Sequence, residues 1–267
     1  MAAPLGLIAG AGDLPLIIVR SNTAGGRPVV AVTFDRQSFE KLSEEDAKVS
    51  QVGLGQASKV IRIFQEAGVT EVAFAGKVDK RVIYKNPRFD LRALSMLRRI
   101  KNKSDDSIML AVVEELEKEG MRVASQHDIL SGLFPVAGTL SKRKPNAKEL
   151  KDIEFGMKMA KGIAALDIGQ TVVVKDGAVV AVEAIDGTDE TILRGGKIAG
   201  PGTVVCKVSK PRQDPRFDVP TVGKGTVEAM ASTGAAALAI EAGATMVVDL
   251  ENVAGLCGQS KIAFLAI

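Results

Sequence analysis

Only two of the 267 residues are cysteine, Cys206 and Cys257. They stand far apart with no Cys-x-x-Cys pair, which excludes a disulfide framework or a thiolate zinc site and suits a reducing compartment. His127 is the single histidine, so no pair of imidazoles can share a metal, and a lone histidine is more often a structural hydrogen bonder than a catalyst. Tryptophan is absent and aromatic residues make up 4%, too few for a base-stacking platform. Charge of one sign is not in excess either: 35 Lys and Arg against 32 Asp and Glu leave +3, a weak footprint for nucleic acid. No run reaches the ~18 apolar residues of a membrane span; the nearest, 234–248, is broken by Glu241 and Gly243. The opening Met1-Ala-Ala-Pro leaves no room for a signal-peptide core. A cytoplasmic protein without a nucleic-acid partner is expected, and a modestly basic chain can still dock weakly on an anionic lipid surface.

What is present is ordinary globular stock, 46% hydrophobic and 25% charged, long enough for about two domains at ~150 residues each. Short apolar runs at 5–9, 28–34 and 69–75 alternate with helical patterns at 14–24 and 57–67. Strand and helix in such alternation predict a parallel sheet with helices on its faces. Further helices are predicted over 91–100 and 107–119, and a short strand over 122–124. Residues 131–146 hold Gly132, Pro135, Gly138 and Pro145 and little periodicity. Beyond them come a helix over 147–165, a hairpin at 171–175 and 178–184 turned by Asp176-Gly177, and a strand over 204–208. An Ala-rich helix over 226–242 and strands over 245–250 and 261–266 close the chain. The fold class is therefore α/β: a Rossmann-like, nucleotide- or phosphate-binding domain over 1–132, a linker over 133–146, and a catalytic, mixed α/β domain over 147–267.

Gly10-Ala11-Gly12-Asp13-Leu14-Pro15 joins the first strand to the first helix, where glycines let a backbone approach an anion and a helix N-terminus offers free N–H groups. Pro15 stands where the dinucleotide fingerprint needs a third glycine; a phosphate cradle and a plain tight turn both remain open. Phe74-Ala75-Gly76-Lys77-Val78-Asp79 ends the third strand, placing Lys77 to meet a phosphate or simply solvent. Ser104-Asp105-Asp106 reads first as helix-capping chemistry. In the second half, Asp167-Ile-Gly169-Gln170 and Glu183-Ala-Ile-Asp186-Gly187-Thr188-Asp189 set acids beside glycines at element ends, an arrangement that suits a hard cation near phosphate or, equally, turns. The segment Asp214-Pro-Arg-Phe-Asp218-Val-Pro220 is stiffened by its prolines. Lys207, Lys210 and Arg212 stand just upstream, so a carboxylate presented there suits phosphate-ester chemistry.

Taken in order, the segments 5–15, 74–78, 103–106, 166–170, 182–184, 187–189 and 217–223 resemble one family across nearly the whole chain: the LpxI-type UDP-2,3-diacylglucosamine pyrophosphatases of Gram-negative lipid A synthesis. The resemblance implies a homodimeric hydrolase that splits UDP-2,3-diacylglucosamine into UMP and 2,3-diacylglucosamine 1-phosphate (lipid X) with Mg²⁺. It implies that Asp218 is catalytic and that Gly10, Ala11, Gly12, Ala75, Gly76, Lys77, Asp167, Gly169, Gln170, Gly187 and Thr188 contact substrate. Glu183 and Asp189 are the candidate metal ligands, and peripheral contact with the inner membrane is compatible with such a substrate. Two other readings stand beside it: a Rossmann-like oxidoreductase suggested by Gly10-Ala-Gly12, and a non-catalytic UDP-sugar-binding protein using the same cradle.

Overall fold

A computed structural model of the chain describes residues 2–78, 88–100 and 105–267, with the backbone alone at Asp105 and Asp106. Asp79 and Ser104, singled out in the sequence, lie outside the described residues, as do the side chains of Asp105 and Asp106, so the capping expectation there is not addressed. Contacts divide the chain into two units, Met1–Leu130 with Pro215–Asp218, and Ser131–Asp214 with Val219–Ile267.

The first unit runs β1 (Leu5–Ala9), α1 (Leu14–Ala24), β2 (Val29–Thr33), α2 (Arg36–Ser43), β3 (Lys48–Gln51), α3 (Ala57–Glu66), β4 (Glu71–Ala75), α4 (Leu91–Arg99), α5 (Asp105–Lys118), β5 (Arg122–Val123) and α6 (Gln126–Ile129). Its five strands lie in the order β3-β2-β1-β4-β5, every pair parallel. Every residue of β1 and β2 is buried, because helices on both faces leave a parallel strand no wet side, and so these strands read as unbroken apolar runs. Phe64 from α3, Val72 from β4 and Leu116 from α5 meet in one core. A single carboxylate, Asp90, accepts from the backbone N–H groups of both Ser58 and Ala93 (each within 2.8 Å), fixing the first turns of α3 and α4 together. Arg92 on α4 pairs with Glu115 on α5 and with Glu119 just past its end, and Arg99 pairs with Glu115.

The second unit contains β6 (Gly138–Thr139), α7 (Ala147–Ala165), β7 (Thr171–Lys175), β8 (Ala178–Val182), α8 (Thr188–Ala199), β9 (Val204–Lys207), β10 (Thr221–Val222), α9 (Lys224–Thr233), β11 (Ala237–Ile240), β12 (Met246–Val247), α10 (Leu250–Gln259) and β13 (Ala263–Ala266). Six strands form a mixed sheet in the order β6-β13-β11-β9-β7-β8, in which β9, β11 and β13 are parallel and β6, β7 and β8 join antiparallel. Residues 133–146, expected as a linker, lie within this unit: β6 pairs with β13, and Arg143 pairs with Glu149 near the start of α7. Asn146 and Glu149 form a reciprocal capping box at that start.

The structure corrects the single Ala-rich helix expected over 226–242. The helix stops at Thr233, Gly234 turns left-handed at φ 68°, and Ala237–Ile240 becomes a fully buried strand in the middle of the sheet. An Ala- and Ile-rich run suits a buried strand as well as a helix, and periodicity cannot separate the two. The strand expected over 245–250 shrinks to Met246–Val247, and α10 follows at once.

One carboxylate in this unit is expected to make the fold acid-sensitive. Glu241, just past β11, accepts from Ser209 N–H (2.9 Å), Ser209 Oγ (2.7 Å) and Lys161 Nζ (2.6 Å). Burial opposes its ionisation, but Lys161 and the Ser209 donors overcome it and hold the carboxyl below its ordinary value of 4.5. A folded-state pKa below the unfolded one means stability that is present above about pH 4.5 and lost as pH falls through the lowered value. The melting temperature is expected to drop on acidification below about pH 4.5, and Glu241→Gln to lower it at neutral pH while making the acid-side fall shallower. Melts at a series of pH values check this; an unchanged acid slope in the variant refutes it.

Candidate functional site

The expected site residues fall into two groups, one in each unit. In the first unit the sheet order reverses between β1 and β4, the switch point beyond whose carboxyl ends open α/β sheets bind ligands. Gly10 and Gly76 stand there. The Gly10 N–H donates to the Ala75 carbonyl (2.8 Å), and Ala11 and Lys77 exchange backbone bonds of 2.8 and 2.9 Å. The two loops therefore touch along their backbones: a Cβ on Gly10 would lie 2.5 Å from the Lys77 carbonyl oxygen, and one on Gly76, which also holds φ +84°, 2.7 Å from the Ala11 oxygen. The N–H groups of Gly10 and Ala11 are spent inside this crossing and are not presented to an anion. Gly12 differs, with open space where a Cβ would stand, and the Lys77 side chain is exposed. Gly76→Ala is expected to cost about 3 kcal/mol, the sum of left-handed strain and overpacking, and to lower the urea midpoint accordingly. An unchanged midpoint would show that the crossing yields.

Beside the crossing opens a cavity of about 380 Å³, within the ~300–1,000 Å³ of sites that take small ligands. Ile8, Phe34, Val60, Phe74, Met96 and Met109 line its apolar body; Gly10, Ala75, Gly76, Gln126 and Asp218 also border it. Asp218 arrives there because Pro215–Asp218 belongs to the first unit. Three anchors hold this short segment. The Pro215 carbonyl accepts from Gln126 N–H at 2.7 Å, the Phe217 ring meets Phe74 edge to face at 6.4 Å between centroids, and Arg216 Nη1 lies 3.3 Å from Glu117 Oε1. The structure thus gathers Gly10, Ala75, Gly76 and Asp218 around one apolar cavity. The sequence did not locate the cavity: Ile8, Phe34 and Phe74 read as strand core and Val60, Met96 and Met109 as parts of helices, and Gln126 was passed over as a neighbour of His127.

The second group surrounds Thr188, the first residue of α8. Its hydroxyl donates to Glu183 Oε1 (2.8 Å) and accepts from Lys207 Nζ (2.8 Å); Lys207 is only 8% exposed. Gln170 N–H reaches the other Glu183 oxygen at 3.2 Å. Gly169 is pressed against this strand end, where a Cβ would overlap the Glu183 carbonyl oxygen. Gly187 caps α8. Asp167, at φ 56°, is exposed and pairs with Lys210 at 2.8 Å, and Asp189 accepts from Thr226 Oγ1 at 3.1 Å. Asp186 pairs with Arg194, and this hydrogen bond with the Ala184 N–H holds its carboxyl below the usual range.

As a cation site the acids are limited. Both Glu183 oxygens and one Asp189 oxygen already accept hydrogen bonds, and among the described residues no three of His, Cys, Asp and Glu converge. Such a donor set does not cage a cation by itself; it fits Mg²⁺ in that ion's usual mode, one or two carboxylates with waters and substrate phosphates completing the shell. The cysteines take no part in this chemistry: burial pushes Cys206 up to about 12 and Cys257 up to about 11, leaving neutral thiols. His127 sits half-buried in α6.

Comparison with known proteins adds a family to this geometry. The LpxI N-terminal domain matches residues 4–133 and the LpxI C-terminal domain residues 136–265. A protein of Caulobacter vibrioides named UDP-2,3-diacylglucosamine pyrophosphatase LpxI is 34% identical, the alignment covering 93% of this chain and 92% of that one. Among solved structures, ChuY, an anaerobillin reductase of Escherichia coli O157:H7, aligns at 20% identity over 49% of this chain and 55% of its own, with a TM-score of 0.29, too low to bear on fold or function. Matched in both halves and along nearly its whole length, the chain belongs to the LpxI family.

Proposed function

We propose that the chain hydrolyses the pyrophosphate of UDP-2,3-diacylglucosamine, giving UMP and 2,3-diacylglucosamine 1-phosphate. The observation that carries this reading is the pairing of a chain-sized apolar cavity with a carboxylate, Asp218, beside it. A substrate that joins fatty chains to a phosphoanhydride needs both: apolar wall to take hydrocarbon out of water, and a positioned acid next to it. In this reading an acyl chain fills the cavity, and Asp218 orients the attacking water and accepts its proton as the oxygen bonds to phosphorus. One phosphoanhydride bond breaks, and the leaving phosphate departs carrying the charge.

The same reading assigns substrate contacts to Gly12 and Lys77, and to Asp167, Gly169, Gln170, Gly187 and Thr188, with buried Lys207 supplying positive charge. Mg²⁺ would lean on Glu183 or Asp189 together with phosphate oxygens, and when bound it neutralises phosphate charge. The proposal includes a cytoplasmic homodimer that meets the inner membrane only peripherally; among the described residues no helix is long and apolar enough to cross a membrane. The oxidoreductase reading is not favoured, since Pro15 replaces the third glycine and the Gly10 and Ala11 amides are engaged.

The test is release of UMP from UDP-2,3-diacylglucosamine by the purified chain with Mg²⁺. Release at a rate proportional to enzyme supports the reading. Tight binding of the lipid nucleotide with no UMP would make the chain a UDP-sugar-binding protein instead.

A further inference from the structure

One helix of the first unit has two faces of different use. α4 lines the cavity with Ala93, Met96 and Leu97. At helical spacing the opposite face carries Leu91, Leu94, Ser95 and Arg98, at i, i+3, i+4 and i+7. All four are exposed, and Leu91 keeps 87% of its surface in water. A helix that served only as cavity wall would be polar on that outer side; here two leucines stand beside an arginine.

The charge along this stretch is equally one-sided. Positions 77–103 hold ten Lys and Arg against two Asp, a net +8 in a chain whose total is +3, so the rest of the chain is net acidic. Asp90 is committed to the backbone N–H groups of Ser58 and Ala93. Arg92 and Arg99 are answered by Glu115 and Glu119. Arg88 and Arg98, exposed near the two ends of α4, have no ion-pair partner among the described residues. Neither borders the cavity, so their charge is not spent on a ligand inside it.

Exposed leucines beside unanswered arginines on one helix face suit an anionic lipid surface. The apolar side chains enter the headgroup boundary while the guanidinium groups stay with the phosphates. Nucleic acid would answer the charge but not the leucines, and a chain without Trp and with 4% aromatic residues offers little for bases to stack on. We propose that the outer face of α4, Leu91, Leu94 and Arg98 together with Arg88, docks the protein on the anionic surface of a phospholipid bilayer. The inference deepens the hydrolase reading and rests on it for the purpose of docking. The acyl chains of such a substrate are held in a bilayer, and a helix only ~10–12 Å across would bring the cavity behind it within reach of them.

The experiment is flotation of the purified chain with vesicles of phosphatidylethanolamine and phosphatidylglycerol, and with vesicles of phosphatidylcholine alone. Wild type is expected to float with the anionic vesicles only and to be released as salt rises. Arg98→Glu changes two charges, at about fivefold each, and should lower the partition coefficient about 25-fold; Leu91→Asn should lower it about tenfold. Lys197→Glu makes the same charge change at an exposed residue of α8 and should leave it nearly unchanged. Wild type that floats with neither vesicle, or equally with both, overturns the proposal. So does an equal loss in R98E and K197E, the mark of diffuse attraction by net charge. Wild type that ignores vesicles but binds a DNA duplex through Arg98 would give the face to nucleic acid instead. Kinetics supply a second readout: R98E should raise KM for substrate carried in anionic vesicles and leave kcat/KM unchanged for a short-chain analogue dissolved as monomer. An equal loss on both substrates overturns docking as the role of this face. Absence of UMP release from wild type removes the hydrolase reading, while flotation still decides on α4.

Discussion

Asp218→Ala is expected to slow UMP release by about 10²–10⁴-fold, the usual contribution of a positioned general base, with KM for the lipid nucleotide changed only a few-fold. The split follows from where Asp218 stands. It borders the cavity without forming its apolar body, so substrate binding rests mainly on other groups, and its removal is felt when water attacks phosphorus. Pro215 is held through its carbonyl, Phe217 through its ring and Arg216 through Glu117. Those three anchors persist in Asp218→Ala, and a melting temperature equal to that of wild type would mark the loss as chemistry rather than misfolding. Asp218→Asn separates two roles, since an amide can still orient water but cannot take its proton at neutral pH. An Asn variant as slow as Ala marks a base, and one within tenfold of wild type marks an orienting group. A fall of less than tenfold in both would sink the catalytic assignment.

How Asp218 comes to that cavity was only half legible in the sequence. The prolines at 215 and 220 and the acid between them mark a stiff, functional-looking loop, and that reading needs no tertiary information. The assignment of Pro215–Asp218 to the first unit, by contrast, depends on Phe217 finding Phe74 and on Gln126 reaching Pro215, pairings between residues far apart in the chain. The glycines taught a similar lesson. Gly10 and Gly76 announce a tight place at two strand ends, but sequence cannot say whether a backbone or a phosphate fills it; here it is backbone.

In the first unit, β1, β2 and β4 were readable because burial on both faces leaves continuous apolar runs. β3, Lys-Val-Ser-Gln on the sheet edge, was not, because it is only partly buried. In the second unit α8 hid behind Gly195 and Gly196, which ordinarily weaken a helix. Their reason is packing: a Cβ on Gly195 would lie 2.7 Å from Val173, and one on Gly196 would overlap Thr233. α10, with Gly255 and Gly258, was missed for the same lack of propensity.

Acyl-chain length is expected to be the other large lever on activity. Each methylene taken out of water contributes about 0.8 kcal/mol, so shortening by four carbons the chain that fills the cavity should lower kcat/KM by about 200-fold, nearly all of it in KM. The gradient alone would not locate the chain, since any apolar surface gives one. Ala93 does. It lies on α4, is buried, and borders the cavity; its backbone N–H is held by Asp90, a bond that a larger side chain leaves alone. Ala93→Phe projects a ring into the space a long chain needs, costs stability through overpacking of about 1–3 kcal/mol, and leaves less cavity for the last methylenes. The variant should therefore lose activity steeply on the long-chain substrate, lose little on the short one, and show a flattened dependence on length. The comparison is internal to one protein, so a general loss of fold or of catalytic competence lowers both substrates together and cannot imitate it. A variant that keeps the wild-type gradient would place the acyl chain elsewhere and take away the observation on which the substrate assignment stands.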